Sequence, residues 1–263
     1  PTMVVLTALL ACAAAGPVRA DDRKFTYSYE AKTLPQGTWE FEQWATLQTG
    51  KDGGSWNTWL FREEIEYGIT DRLNASIYLN TEYQANSDVP GFDDEHHFGF
   101  QSMSTEWKYK LSDPAADPVG VLLYGELGLS SDEVEFEAKL VLSKELGRFT
   151  FAYNFVYEAE LEEAPDERPV FRWEHIVSNT FGVSYALVDR FSIGAEALDI
   201  FRNEPVEGIR THAYYAGPNV HYSSGSWWAT LTVLRQVSFG HGPEYSDGDN
   251  TKWQVRLIFG INF

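Results

Sequence analysis

The chain has one cysteine, Cys12, few basic residues, and no long apolar run after its first twenty positions. Because Cys12 lies within residues 1–20, nothing beyond them can form a disulfide or use thiol chemistry. No later stretch of about 18 apolar residues exists, which excludes a helical membrane protein. Twenty Lys and Arg stand against 39 Asp and Glu, a formal charge of −19. So acidic a chain repels nucleic acid and anionic membrane surfaces, and no nucleic-acid partner is expected. It carries no glycine-rich phosphate loop, zinc spacing or nucleotide fingerprint, so neither a cofactor nor a metal is expected.

Aromatic residues make up 15% of the 263 positions and glycine occupies 21, a composition of strands and turns. Residues 1–20 read as a signal peptide truncated at its start. An apolar run ends in the small-residue pattern Val18-Arg19-Ala20, and the charged Asp21-Asp22-Arg23-Lys24 follows. Leu9-Leu10-Ala11-Cys12 loosely matches a lipoprotein cleavage box, a weaker fit than the Ala20 site. Cleavage after Ala20 leaves 19 basic against 39 acidic residues, a charge of 19 − 39 = −20. Residues 21–36 are expected to form a short periplasmic segment, and residues 37–263 one domain.

That domain alternates. Apolar side chains recur at every second position over 38–47, 58–67, 73–83, 99–111, 119–129, 134–142, 149–158, 173–187, 191–201, 212–222, 227–239 and 253–263. Connections between these strands are long and short in turn, apart from a short one after the fifth. The apolar faces carry aromatics at both ends, such as Tyr67, Trp107, Phe149 and Tyr222 at one and Trp59, Tyr83, Trp173 and Phe201 at the other, with aliphatic residues between. Two aromatic girdles around an aliphatic band match the two interfaces of a membrane. An open sheet edge cannot remain unpaired in hydrocarbon, so the strands must close. The expected fold is all-β: a closed antiparallel transmembrane barrel of about twelve strands, an up-and-down meander with both termini periplasmic.

In the last stretch Trp253, Val255, Leu257, Phe259, Ile261 and Phe263 alternate with polar or small residues, and the sequence stops on Phe263. This segment resembles the closing strand of bacterial outer-membrane β-barrels. The resemblance implies residence in that outer membrane, contact with its lipid and lipopolysaccharide, and recognition of these six residues by the barrel-assembly machinery. The phrase EYGITDRLNASIYL at 66–79 resembles a hairpin common in uncharacterised outer-membrane barrels and in the phenol-degradation-associated barrel family, which implies small hydrophobic or aromatic substrates.

With the apolar face on lipid, the polar face lines the interior. Candidate lumen residues are Glu40, Glu42, Arg62, Glu64, Glu66, Glu82, Glu106, Lys108, Glu126, Glu135, Glu137, Lys139, Glu158, Glu174, Glu196, His221 and Arg256. A water-filled passage lined this way favours cations; a narrow barrel whose charges pair across strands is closed. Both readings stand at this point. A passive channel or transporter-like protein for small solutes leads, with an outer-membrane lipid hydrolase or a structural or adhesive barrel as alternatives. Catalysis is not expected. His175 and Ser178 fall on opposite faces, and His221 near Ser223 has no evident carboxylate partner in the sequence. His96 and His97 beside Asp93-Asp94-Glu95 read as part of a solvated acidic loop. Further acidic residues at Glu162, Glu163, Asp166, Glu167, Glu204, Glu207, Glu244, Asp247 and Asp249 place an acidic rim at the long-loop end, suited to cations or to divalent ions shared with lipopolysaccharide phosphates.

Overall fold

A computed structural model describes residues 22–131, 133–164, 170–204, 209–237 and 250–263. The expected leader, residues 1–20, lies outside them. Among the described residues there are twelve strands: β1 (Trp39–Thr49), β2 (Ser55–Thr70), β3 (Leu73–Ser87), β4 (Glu95–Ser112), β5 (Gly120–Leu129), β6 (Glu133–Leu146), β7 (Phe149–Ala164), β8 (Val170–Val188), β9 (Phe191–Glu204), β10 (Ile209–Ser224), β11 (Trp227–Val237) and β12 (Trp253–Asn262). Each pairs antiparallel with its neighbour in sequence, and β1 pairs with β12 to close the barrel. Glu40 stands opposite Asn262 and Thr49 opposite Trp253, and at the seam's end the N–H groups of Trp39 and Phe263 each donate to the other's carbonyl, at 3.1 and 2.9 Å.

Strand formation follows the alternation. Along β12 the outward Trp253, Leu257 and Phe259 are exposed while the inward Gln254, Ile258 and Gly260 are buried. Two-residue turns join β6 to β7 and β10 to β11. Gly147 and Gly225 take their first central positions at φ 61° and 69°, as the right-handed twist of a hairpin requires. In the turn after β4, Asp113 accepts the backbone N–H groups of Ala115 (2.8 Å) and Ala116 (3.2 Å). These bonds, Ala115 foremost, hold its carboxyl below the usual carboxylate range.

The strands outrun the alternation at the long-loop end. β2 begins at Ser55 rather than 58, and β7 continues to Ala164 through a stretch read as an acidic loop. β4 begins at Glu95, so His96 and His97 pair with Ala85 and Gln84 in a ladder instead of lying in a loop. The physical reason is that backbone pairing continues past the membrane, where neither face of a strand need be apolar. Glu63, which interrupts the apolar face of β2, accepts a hydrogen bond from the Gln43 side chain at 2.9 Å, so its charge on the outer wall is partnered.

The exterior is a belt of exposed apolar side chains, Ile77, Leu123, Leu127, Leu231 and Leu257 among them. Aromatic pairs stand at both margins: Phe149 with Tyr185 (4.8 Å) and Tyr222 with Trp227 (5.3 Å) at the short-turn rim, and Trp59 with Phe61 (6.1 Å) at the other. Soluble proteins rarely present so continuous an apolar surface to water. The barrel is built for a membrane, with the architecture of bacterial outer-membrane proteins. Leu257→Arg, in the middle of the outer face of β12, is expected to lower stability in lipid vesicles by about 2–4 kcal/mol. Urea titration checks this, and an unchanged midpoint would place that face away from lipid.

Candidate functional site: the barrel interior

The segment expected to hang in the periplasm is found inside the barrel. From Thr38 the chain turns inward at the short-turn rim, where the Thr33 hydroxyl donates to the Asp71 carbonyl (2.9 Å) and the Gln36 N–H to the Asp71 carboxylate (2.9 Å). It climbs along β6 and β7 and bends under β9. It then returns to the same rim, where Asp22 meets His221 at 3.1 Å. Phe25, Ala31 and Leu34 are fully buried, and Tyr27 and Tyr29 nearly so.

This plug is held by wall side chains that bond its backbone. Three successive N–H groups, of Thr26 (2.9 Å), Tyr27 (2.8 Å) and Ser28 (2.8 Å), converge on the Glu196 carboxylate, and the Thr232 hydroxyl donates to it as well (2.6 Å). Consecutive N–H groups around an anion form a nest, and here the anion comes from β9. Asn154 accepts from the Tyr29 N–H (2.6 Å) and donates to the Tyr29 carbonyl (3.0 Å). Ser143 accepts from the Ala31 N–H at 2.8 Å, and Asn219 donates to the Lys24 carbonyl at 2.6 Å. The wall also makes room: a Cβ on Gly182 of β8 would stand 2.7 Å from the Phe25 ring.

Around the plug most charges of the short-turn half are engaged, Glu64 being the exception with a buried carboxylate oxygen that accepts no hydrogen bond. Arg23 lies 3.6 Å from Glu42 and over the rings of Tyr29 (3.9 Å) and Trp44 (4.6 Å). Glu40 accepts from the indole of Trp228 (3.0 Å) and from Asn262 (2.6 Å), and Glu42 from the indole of Trp44 (2.6 Å). Tyr78 donates to Glu106 and Tyr124 to Glu126, and Arg62 pairs with Glu126. Among the described residues one acidic group, Glu64, Glu66 and Glu106, brings carboxylate oxygens within 4.8 Å of one another as a metal site needs. Lys108, 2.7 Å from Glu66 and 3.2 Å from Glu106, already supplies a cation there.

Above the plug the lumen opens into a cavity of about 460 Å³ floored by Tyr27 and Tyr29. β7 lies opposite β1 in the ring of twelve, so the cavity has two facing walls. Glu135, Glu137, Glu158, Glu160 and Glu174 of β6 to β8 form one; Arg256, Trp44 and Arg62 of β12, β1 and β2 form the other. Lys139 pairs with Glu137 at 2.7 Å and Arg202 with Glu174 at 3.3 Å. Glu82 shares the inward parity of Asn80 and Gln84, with an exposed Gln101 contact at 3.5 Å.

The structure therefore divides the lumen candidates. Glu40, Glu42, Glu64, Glu66, Glu106, Lys108, Glu126, Glu196 and His221 are packed into the sealed half, while Arg62, Glu135, Glu137, Lys139, Glu158, Glu174 and Arg256 face the cavity. Of the acidic rim, Asp93 and Asp94 are tied into the β3–β4 connection through bonds to Asn86 and Asp88. The side chains of Glu162, Glu163, Asp166, Glu167, Glu204, Glu207, Glu244, Asp247 and Asp249 lie outside the described residues.

Two sequence expectations need correcting. Phe25, Tyr27, Tyr29 and Ala31, expected in a short periplasmic segment, are buried inside the barrel because wall side chains bond the backbone between them. His221 does have a carboxylate partner, Asp22, which the plug delivers, and its other ring nitrogen lies 2.8 Å from the Thr230 hydroxyl. That hydroxyl donates to the Arg23 carbonyl and is fully buried, so it is not poised as a nucleophile. Glu196→Ala removes the anion of the nest, and bonds to a charged group contribute about 1.5–3 kcal/mol each. Limited proteolysis of this variant should cut within residues 22–36 while the barrel stays intact. A segment as protected as in the unaltered chain would remove Glu196 as its anchor.

Residues 17–263 match a family described as "Family of unknown function (DUF6662)". No curated protein matches the chain. Among solved structures, the NanC porin superposes with a TM-score of 0.56 at 13% identity, over 84% of this chain and 98% of that one. The translocator domain of the autotransporter NalP from Neisseria meningitidis gives 0.50 at 10% identity, over 86% and 87%. The KdgM porin gives 0.48 at 12%, over 85% and 99%. At such identities the likeness is one of fold.

Proposed function

The chain belongs to this family of unknown function, and we propose from its own geometry that it is an outer-membrane passage for small solutes, closed at rest by its N-terminal segment. The carrying observation is the charged cavity above the plug. Its lining holds six carboxylates, Glu133, Glu135, Glu137, Glu158, Glu160 and Glu174, against four bases, Arg62, Lys139, Arg202 and Arg256. A purely structural barrel has no use for such a cavity, whereas a passage with this excess concentrates cations. The aromatic substrates implied by the phenol-degradation resemblance fit so polar a lining less well than charged ones. No catalytic role is assigned to any residue.

The plug is bound by polar contacts to side chains rather than by a backbone ladder, so it can leave without unpairing any strand. Gly182→Leu places a side chain where the Phe25 ring lies and displaces it. In planar bilayers the unaltered chain should show little unitary conductance, whereas Gly182→Leu and a chain lacking residues 22–34 should give discrete steps with a cation-selective reversal potential. Silent bilayers for both variants, with folding verified by heat-modifiable migration, would refute the passage and favour the structural barrel.

We also read the outward Trp253, Val255, Leu257, Phe259, Ile261 and Phe263 as the segment offered to the barrel-assembly machinery, with lipid and lipopolysaccharide as the surrounding partners. Removing Phe263 should slow insertion into vesicles containing that machinery and leave spontaneous insertion into detergent unchanged. Equal slowing in both would assign Phe263 to the barrel's own seam.

A further inference from the structure

The cavity above the plug is bipolar. On one wall the Arg256 guanidinium donates to the Thr46 hydroxyl (2.8 Å) and to the Thr26 carbonyl of the plug (3.2 Å), and lies over the Tyr27 ring at 4.1 Å. No carboxylate lies within 4.0 Å of it among the described residues. On the facing wall Glu135, Glu158 and Glu160 have no lysine or arginine within that distance either among the described residues. Arg62, Glu137, Lys139, Glu174 and Arg202 of the same cavity are each in an ion pair.

A second, independent feature belongs to the lining of the same space. The Thr180 hydroxyl and the Asn80 side-chain oxygen, in residues 4% and 7% exposed, make no hydrogen bond within the protein, nor do the hydroxyls of Tyr27 and Tyr29 on the floor. Native proteins seldom leave buried polar atoms unbonded, and a ligand in the cavity would satisfy these once their side chains turn toward it. An acceptor and several hydroxyls between two unpaired poles of opposite charge suit a ligand with a cationic end, an anionic end and a spacer that both donates and accepts.

We propose that this cavity is a binding site for short zwitterionic peptides. The ligand's carboxylate meets Arg256, its ammonium meets Glu135 and Glu158, and its amide groups meet Asn80 and Thr180. A polyamine would bring a cation against Arg256, and a diacid would bring an anion against the glutamate wall, so neither uses both poles. The volume of about 460 Å³ is ample for two or three residues. The assignment rests on reading the lumen as a passage and names the class of solute it takes up above the plug.

Calorimetric titration of the full chain in detergent with triglycine, N-acetyl-triglycine and triglycinamide tests it. Triglycine should bind, and each capped analogue should bind at least about tenfold more weakly, the effect of losing one charge-assisted bond. Glu158→Gln should weaken triglycine and triglycinamide and leave the acetylated analogue unchanged, whereas Arg256→Gln should weaken triglycine and the acetylated analogue and spare the amide. No heat with triglycine, or equal affinity for all three forms, overturns the site even if both variants fail to fold. Binding by a barrel that never conducts once its plug is displaced would sink the passage and keep the site. Conductance without binding would do the reverse.

Discussion

A sheet edge cannot lie open in hydrocarbon, and closure of β1 onto β12 is the constraint from which the rest of this molecule follows. Closure turns the apolar side of every strand outward and commits the polar side to an interior of fixed girth. The interior of a twelve-stranded ring is too wide for wall side chains alone to fill and small enough for one stretch of chain. The N-terminal segment fills the short-turn half, and most of the acidic groups there are occupied by the plug's backbone N–H groups, by indole and phenol donors, and by Arg23 and Lys108.

The two readings open at the level of sequence, a charged passage and a charge-paired closed barrel, both describe this molecule, in different halves. Below Tyr27 and Tyr29 the lumen is sealed and its charges, Glu64 apart, are engaged. Above them the walls stand apart, and Arg256 and Glu158 face the cavity without an ionic partner among the described residues. Arg256 belongs to both regions, since it bonds the plug through Thr26 and lines the cavity. Whatever takes its charge also competes for one of the plug's supports.

The fold was largely legible in the sequence because lipid outside and water or plug inside impose a period of two on every strand. Trp253 to Phe263 declared the closing strand, and the inward parity of residues such as Glu64, Glu126 and Glu196 was readable in the same way. The strand ends were not, since pairing persists into β4 at His96 where neither face need be apolar. The site was legible only as a set of inward residues. Which carboxylates are taken by Tyr78, Tyr124 or the nest at Thr26–Ser28 depends on strand stagger and on a segment whose partners lie more than a hundred residues away. The inward glycine at 182, between Thr180 and Ser184, leaves space at the wall that the Phe25 ring fills.

The plug enters at Gln36 and comes back to His221 at the same rim, so it is a folded-back segment with both legs at one end of the barrel. A single strand running through the pore would need a free end pulled along its whole length before the way was clear. A folded-back one can be withdrawn and reseated like a bent pin, whatever is attached ahead of Asp22. Closure of the barrel and seating of its stopper are therefore topologically separate events.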